Sequence, residues 1–195
     1  NYSRTTNMMF TMSKAMFLMM TMMVIPLSLE MNFVLNIWLG DFIPEYTIQF
    51  AILVIFSMIP RNMTMALSQV VHASGKMKNY QFGSAVVIIL ALPLSYLLLK
   101  LGYSPVFIYV CNIVIFVLLW MVDLYLLRKV FEFSVNKYFK SVAIPCVLTL
   151  AISAVFPYVV HVSMVEGFLR LAAVLVVSFV AVVLTGYMLL LGKSE

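Results

Sequence analysis

Six long apolar runs divide this 195-residue chain and constrain its fold more than any other feature. Each run is close to the roughly 20 residues that an apolar helix needs to cross a bilayer. Apolar residues make up 65% of the chain and charged residues only 10%, too few charges to cover a water-soluble fold. The sequence predicts an all-α, polytopic six-transmembrane-helix bundle, with spans at about 15–35, 46–71, 82–101, 106–127, 142–160 and 168–191.

Polar residues and prolines interrupt several of these runs. In the first run, the polar side chains that follow Pro26 predict a helix that ends near Glu30, followed by a short interfacial segment that leads to Trp38. Prolines inside four of the spans predict bends, since each removes one backbone hydrogen bond. The bends suit a bundle that lines a cavity, although membrane helices also tolerate proline without one. These prolines are Pro26, Pro60, Pro93 and Pro145.

Cysteine and methionine give no sign of a metal site or cofactor. Cys111 and Cys146 both lie in apolar runs, where a cysteine is usually a small buried hydrophobe. The methionines of residues 8–23 surround their helix and lack neighbouring Cys or His, so they predict flexible packing instead of copper transfer. The chain begins with Asn1, and no signal-peptide pattern precedes the first run. We expect it to be the C-terminal part of a longer protein whose N-terminal half is missing.

The positions of lysine and arginine predict the orientation. An even number of spans places both ends of the chain on one side of the membrane. Nine cations fall on that side and two on the other, which predicts that both ends are cytoplasmic. Because the cations are spread over separate loops, the charge of +5 does not indicate nucleic-acid binding. The nine are Arg4, Lys14, Lys76, Lys78, Arg128, Lys129, Lys137, Lys140 and Lys193, and the two are Lys100 and Arg170.

The segment MIPRNMTMALSQ, residues 58–69, places Arg61 deep in the second span. Counted along a helix that ends at Val71, Arg61 lies about 16 Å from His72, close to the middle of the bilayer. A guanidinium at that depth costs at least roughly 2.5–3.5 kcal/mol and stays charged. Arg61 therefore needs polar surroundings, and we predict that it faces a hydrated cavity.

A polar stripe accompanies Arg61 along the same helix. Residues at i+3, i+7 and i+11 share its face, and two more polar residues lie on an adjoining face. A stripe that runs from mid-bilayer to the cytoplasmic end is typical of a cavity wall. The predicted substrate-binding residues are Arg61, Asn62, Thr64, Ser68, Gln69 and His72.

A buried ion pair is the competing explanation for Arg61. The nearest acids are Glu30 and Asp123, and each misses the depth of Arg61 by roughly 8 Å or more. Snorkelling and helix bends would shorten that distance. If Arg61 instead binds a ligand, its planar, two-pronged donor geometry suits phosphate.

Four segments, taken in order and spacing, resemble the C-terminal half of bacterial polysaccharide flippases. They are LNIWLGDFIPEYT (35–47), HASGKMKNYQ (72–81), LPLSYLLLKLG (92–102) and FSVNKYFKSVAIP (133–145). Such flippases belong to the exporter superfamily that also contains peptidoglycan lipid flippases and multidrug and toxin extrusion pumps. The resemblance covers nearly the whole chain, but no single segment is diagnostic and no family arginine maps onto Arg61.

The resemblance implies a carrier of two six-helix bundles that rocks around a central cavity in the bacterial inner membrane. It would move undecaprenyl-diphosphate-linked oligosaccharide, an anionic lipid-linked substrate, from the cytoplasmic to the periplasmic leaflet. This chain would be the second bundle and would need either the missing N-terminal bundle or a second copy as partner. Lys76 and Lys78 are candidates for headgroup capture, or only determinants of topology. The aromatic and basic stretch 131–140 predicts an interfacial helix on anionic membrane lipids.

Other functional classes fit the sequence less well. A membrane-embedded enzyme needs paired acids, a Ser–His pair or metal ligands at one depth, whereas His72 and His161 lie at opposite ends. We therefore expect no catalytic residues. A drug or toxin exporter of the same superfamily would hold cations with cavity carboxylates, which would then lie in the other bundle. A noncatalytic membrane subunit would have no need of the polar stripe.

Overall fold

The computed structural model describes residues 2–40, 42–74, 77–131 and 134–191. This part of the chain is 90% helical and contains no strand. Six of its helical segments are long and apolar enough to cross a membrane, which confirms the predicted all-α six-helix bundle. The segments are Arg4–Leu29, Thr47–His72, Tyr80–Lys100, Val106–Arg128, Val135–Ser163 and Phe168–Leu190.

Within the described residues, nine α-helices form these spans and the connections between them. Short π-helical turns, Phe139–Ala143 and Tyr187–Leu191, join α7 to α8 and continue α9. Two spans are therefore composite, α4 with α5 and α7 with α8. The helices are α1 Tyr2–Leu29, α2 Met31–Leu39, α3 Thr47–Ser74, α4 Met77–Ile89, α5 Ala91–Lys100, α6 Val106–Phe131, α7 Val135–Tyr138, α8 Ile144–Ser163 and α9 Phe168–Gly186.

Two spans, the first and the fifth, begin well before the apolar runs indicate. α1 starts at Tyr2, so its polar first turns extend the methionine-rich helix beyond the apolar run. The fifth span starts at Val135, where the Ser134 hydroxyl accepts a hydrogen bond from the backbone N–H of Lys137 at 3.4 Å. Residues from Val135 onwards are thus continuous with the spanning helix, and an interfacial position for residues 131–140 stays a prediction. Packing explains this, since Tyr138 is completely buried.

The proline-containing spans are interrupted where the sequence indicates, although not at every proline. The third span breaks at Leu90, three residues before Pro93, whose missing N–H leaves the preceding turn without a hydrogen bond. Pro145 follows the π-helical turn and lies in the first turn of α8. Pro26 and Pro60 lie within the continuous helices α1 and α3. α1 ends at Leu29, and the chain bends at Glu30 before α2 begins.

α3 lies between α1 and α6, and α8 packs against α9 and α1, while α4 and α5 pack chiefly against α6. Glycines allow two close approaches between helices: a Cβ on Gly186 would lie 2.6 Å from Leu18, and one on Gly83 would lie 2.8 Å from Leu126.

The main core surrounds Tyr138, and we call this end of the bundle the Tyr138 end. The other side, where α1 meets α2, is the Glu30 end. Lys14 joins the first helix to the last by donating to the Leu190 carbonyl at 2.8 Å.

Candidate functional site

Arg61 lies on the outer surface of the bundle, near the middle of α3. Its side chain is exposed, and its guanidinium carbon lies 5.6 Å from the centre of the Phe116 ring on α6. This distance permits a cation–π interaction, which orients the cation without neutralising it. None of the carboxylates in the described residues forms an ion pair with Arg61.

Much of the predicted stripe shares this exposed face of α3. Gln69 and His72 are exposed, as is Met65 one turn from Arg61, and Ser68 is half-buried. Positions 61, 65, 69 and 72 follow the helical period, so they form one continuous strip along the helix. The strip runs from mid-span to the Tyr138 end. This is the arrangement that a cavity wall requires, provided that a second surface covers it.

Two polar side chains of the stripe satisfy hydrogen bonds within their own helix. The Asn62 amide nitrogen donates to the Met58 carbonyl at 2.8 Å, and the Ser68 hydroxyl donates to the Met65 carbonyl at 2.9 Å. Such bonds compensate for the polar groups in a dry environment. Both side chains keep acceptor oxygens for a ligand.

Thr64 departs from the predicted face. It is only 9% exposed, and its hydroxyl has no hydrogen-bond partner among the described residues. Three residues along a helix turn about 60° short of a full circle, which carries Thr64 from the Arg61 face into the packed side of α3. Helix packing therefore decides the environment of Thr64, and it does not line the open strip.

The two lysines predicted to capture the headgroup belong to the turn between α3 and α4. Lys76 lies outside the described residues. Lys78 belongs to α4, but its side chain is likewise outside the described part of the molecule. Their role stays a prediction.

The two acids considered as ion-pair partners of Arg61 do not pair with it in the described structure. Glu30 binds residues of α8 and α9 instead, and Asp123 accepts a hydrogen bond from Ser84 of α4 at 2.8 Å. Arg61 is thus left as a mid-span cation whose described contact is an aromatic ring.

The Glu30 end contains a buried charged cluster of Glu30, His161 and Arg170. Glu30 is completely buried at the bend between α1 and α2. Its Oε1 lies 2.8 Å from His161 Nδ1, and its Oε2 accepts hydrogen bonds from Arg170 Nη2 at 2.8 Å and Nε at 3.1 Å. Glu166 also lies 3.9 Å from the same guanidinium nitrogen. The cluster fixes the bend to the end of α8 and the start of α9.

The sequence pattern indicates only a topological role for Arg170 and does not pair it with Glu30. Equal depth in the membrane could have predicted the cluster. The first span ends at Glu30, the fifth ends near His161 and the sixth begins near Arg170. All three positions therefore fall at the same membrane level. The exposed fraction of the side chain is 11% for Arg170 and 28% for His161, so the cluster is nearly closed to solvent.

Acidification is expected to weaken this cluster. Burial alone would raise the pKa of Glu30, but the hydrogen bonds from Arg170 and His161 outweigh burial and lower the pKa below its ordinary value of 4.5. The stabilisation is therefore complete above about pH 4.5 and is lost as the pH falls through the folded-state pKa. Melting temperatures of wild type and Glu30→Gln in detergent should converge below that pH. An acid-induced loss of the same size in both proteins would contradict this assignment.

The clefts beside α1 are apolar, in contrast to the Arg61 face. One, of about 460 Å³, lies between α1, α3 and α8 and is lined by residues such as Ile25, Phe56 and Val155. Another, of about 480 Å³, lies between α1 and α9 beside Met19 and Phe179. Such surfaces suit hydrocarbon chains and offer nothing to a phosphate.

Comparison with known proteins does not assign the chain to a family. No family model matches it, and neither a curated protein nor a solved structure matches it. The resemblance to polysaccharide flippases therefore depends on the four sequence segments alone. The described residues contain no group of three or more His, Cys, Asp or Glu placed to hold a metal ion.

Proposed function

We propose that this chain is one bundle of a membrane transporter that moves undecaprenyl-diphosphate-linked oligosaccharide from the cytoplasmic to the periplasmic leaflet. The proposal places it in the bacterial inner membrane, with both ends of the chain in the cytoplasm. It is supported by the six-span architecture, the distribution of lysine and arginine, and the polar face of α3.

One observation carries the proposal: Arg61 is exposed on the outside of the bundle at mid-span and has no ion-pair partner among the described residues. Facing acyl chains, this cation would cost at least roughly 2.5–3.5 kcal/mol. A second surface that encloses water removes much of that cost. A second helical bundle, or a second copy of this chain, would supply that surface.

The enclosed space would be both hydrated and cationic, which suits a diphosphate. Arg61 would donate hydrogen bonds to phosphate oxygens, while the exposed Gln69 and His72 continue the polar path towards the Tyr138 end. The polyprenyl tail would stay in lipid, so the cavity must open sideways between the two bundles. No covalent bond changes during this process.

Binding at Arg61 assists transport only if its strength differs between the two conformations of the carrier. Equal affinity for the inward-facing and outward-facing states would shift no equilibrium. Arg61 contacts Phe116 across the interface between α3 and α6, so a small displacement of these helices would change the direction of the guanidinium. We expect its grip on the diphosphate to weaken in the outward-facing state.

Replacing Arg61 in the intact transporter tests the proposal. Loss of one charge-assisted hydrogen-bonding group is worth about 1.5–3 kcal/mol, so Arg61→Ala should slow flipping by about tenfold to a hundredfold. Arg61→Lys should recover part of the rate, because it restores charge but not the bidentate geometry. The measurement follows lipid-linked oligosaccharide in each leaflet at matched protein abundance.

Lys100→Ala is the matched control, since it removes an exposed cation at the opposite end of the bundle. It should leave the rate unchanged. Full flipping by Arg61→Ala at normal abundance would remove Arg61 from the mechanism. Loss of flipping in both Arg61 variants without any rescue by Lys would indicate that Arg61 acts through structure and not through charge.

A further inference from the structure

Asp123 is a buried acid that the proposed transport path does not use. It lies in α6 within the fourth span and is completely buried. Arg128 is five residues away, about 7 Å along the helix, so Asp123 is well inside the apolar segment. No described cation forms an ion pair with it. An ionised carboxylate in such a place is costly and normally becomes neutral.

Asp123 accepts fewer hydrogen bonds from the described residues than a buried, ionised carboxylate needs. Its Oδ1 accepts one bond from Ser84 at 2.8 Å, and the same Ser84 hydroxyl lies 3.1 Å from the Tyr80 carbonyl. Its Oδ2 is buried and has no hydrogen-bond partner among the described residues. An ionised carboxylate offers about four acceptor positions, and here one is used. A protonated carboxyl needs far less compensation.

Tyr80 provides the complementary group. Its hydroxyl is buried near the carboxyl and, like Oδ2, has no hydrogen-bond partner within bonding distance among the described residues. The Tyr80 hydroxyl can donate to either form of the carboxyl, but a proton on Oδ2 also removes the buried charge. A small side-chain rotation then joins Asp123 to Tyr80 and satisfies both groups.

We propose that Asp123 binds a proton between α4 and α6, holds it on Oδ2, and is neutral while the two helices are packed together. Ser84 and Tyr80 are its positioning residues. Releasing the proton would leave an unpaired charge between α4 and α6, so separation of these helices and proton release are linked. α4 is free to move in this way, since it packs chiefly against α6.

The other charged side chains that the structure describes on the neighbouring helices lie elsewhere. On α3, which packs against α6, Arg61 and His72 lie on the exposed face. On α7, Lys137 is exposed, and on α5, Lys100 lies at the opposite end of the span. Tyr80 is therefore the described titratable group that acts on Asp123.

A proton fits this site better than a metal cation. Protein-bound metal ions such as Ca²⁺ and Mg²⁺ take about six or more oxygen ligands, whereas Asp123, Ser84 and Tyr80 supply few, and Ser84 already uses its hydrogen. Any use of this proton in transport depends on the function proposed above. Protonation of Asp123 does not depend on that function, so the proton site and the proposed transport function can fail separately.

Infrared spectroscopy of the protein in lipid at neutral pH tests the proposal. A protonated carboxyl gives a C=O stretching band that shifts in D₂O, and this band should be present in wild type and absent in Asp123→Asn. Tyr80→Phe should keep the band but shift its frequency, because the hydroxyl group near Oδ2 is lost. Glu45→Gln, which changes an exposed carboxylate, should leave the band as it is.

Three results would overturn the proposal. One is the absence of a protonated-carboxyl band in wild type at neutral pH. Another is a band that persists in Asp123→Asn. The last is a band that sodium, but not potassium, abolishes in wild type, which would assign the carboxylate to a metal cation. If Asp123→Asn fails to fold, the wild-type band and its shift in Tyr80→Phe decide the question.

Discussion

Arg170→Met is expected to destabilise the bundle by about 3–5 kcal/mol, the usual cost of removing one partner from a buried ion pair. The reason is that Glu30 is completely buried and would keep its charge with only His161 beside it. The loss should appear as a lower unfolding midpoint in detergent. It should also loosen the bend between α1 and α2, which the cluster fixes to α8 and α9.

A double variant separates the ion pair from simple loss of side-chain contacts. Glu30→Gln combined with Arg170→Met removes both charges, so most of the stability should return. Arg128→Met is the matched control, since Arg128 is exposed and its replacement should cost less than about 0.5 kcal/mol. A double variant that is no more stable than Arg170→Met would contradict the ion-pair explanation.

Tyr138→Ala is expected to cost on the order of 3 kcal/mol by opening a cavity in the main core. Tyr138 is completely buried, and its ring meets Phe10 edge-on at 5.3 Å and Trp120 at 6.1 Å between centroids. In a membrane, where apolar burial gives little net gain, close packing of this kind holds helices together. The measurement is again the unfolding midpoint in detergent.

Two variants define what Tyr138 contributes. Tyr138→Phe loses only the hydroxyl, which contacts the Met63 sulfur at 3.6 Å, so it should cost much less than Tyr138→Ala. Tyr96→Ala removes a tyrosine that is 65% exposed and should change stability little. Equal losses in Tyr138→Ala and Tyr96→Ala would show that core packing at the Tyr138 end is not the cause.

The Glu30 cluster and Asp123 illustrate two ways of accommodating an acid in a membrane bundle. Glu30 accepts hydrogen bonds from a guanidinium and lies beside an imidazole, so it is stable as an anion. Asp123 has one described hydrogen bond and no described cation, so we propose that it is stable as a neutral acid. The difference makes Glu30 a fixed structural element and Asp123 a site that exchanges a proton.

The sequence alone determined the all-α bundle of six spans, because a run of about 20 apolar residues has few alternatives to a membrane helix. It also determined that α1 ends beside Glu30 and that Arg61 lies at mid-span, since depth follows from counting residues along a helix. Periodicity placed His72 on the same face as Arg61 and Gln69 on an adjoining face, and all three are exposed.

Only the tertiary structure decided which helix each face meets. It buried Thr64, and it joined Glu30 to His161 and Arg170, which lie 131 and 140 residues away in the chain. It also placed Ser84 of α4 against Asp123 of α6. The physical reason is that the helical period fixes the angle between residues on one helix, whereas the neighbour that each face contacts depends on how the helices pack together.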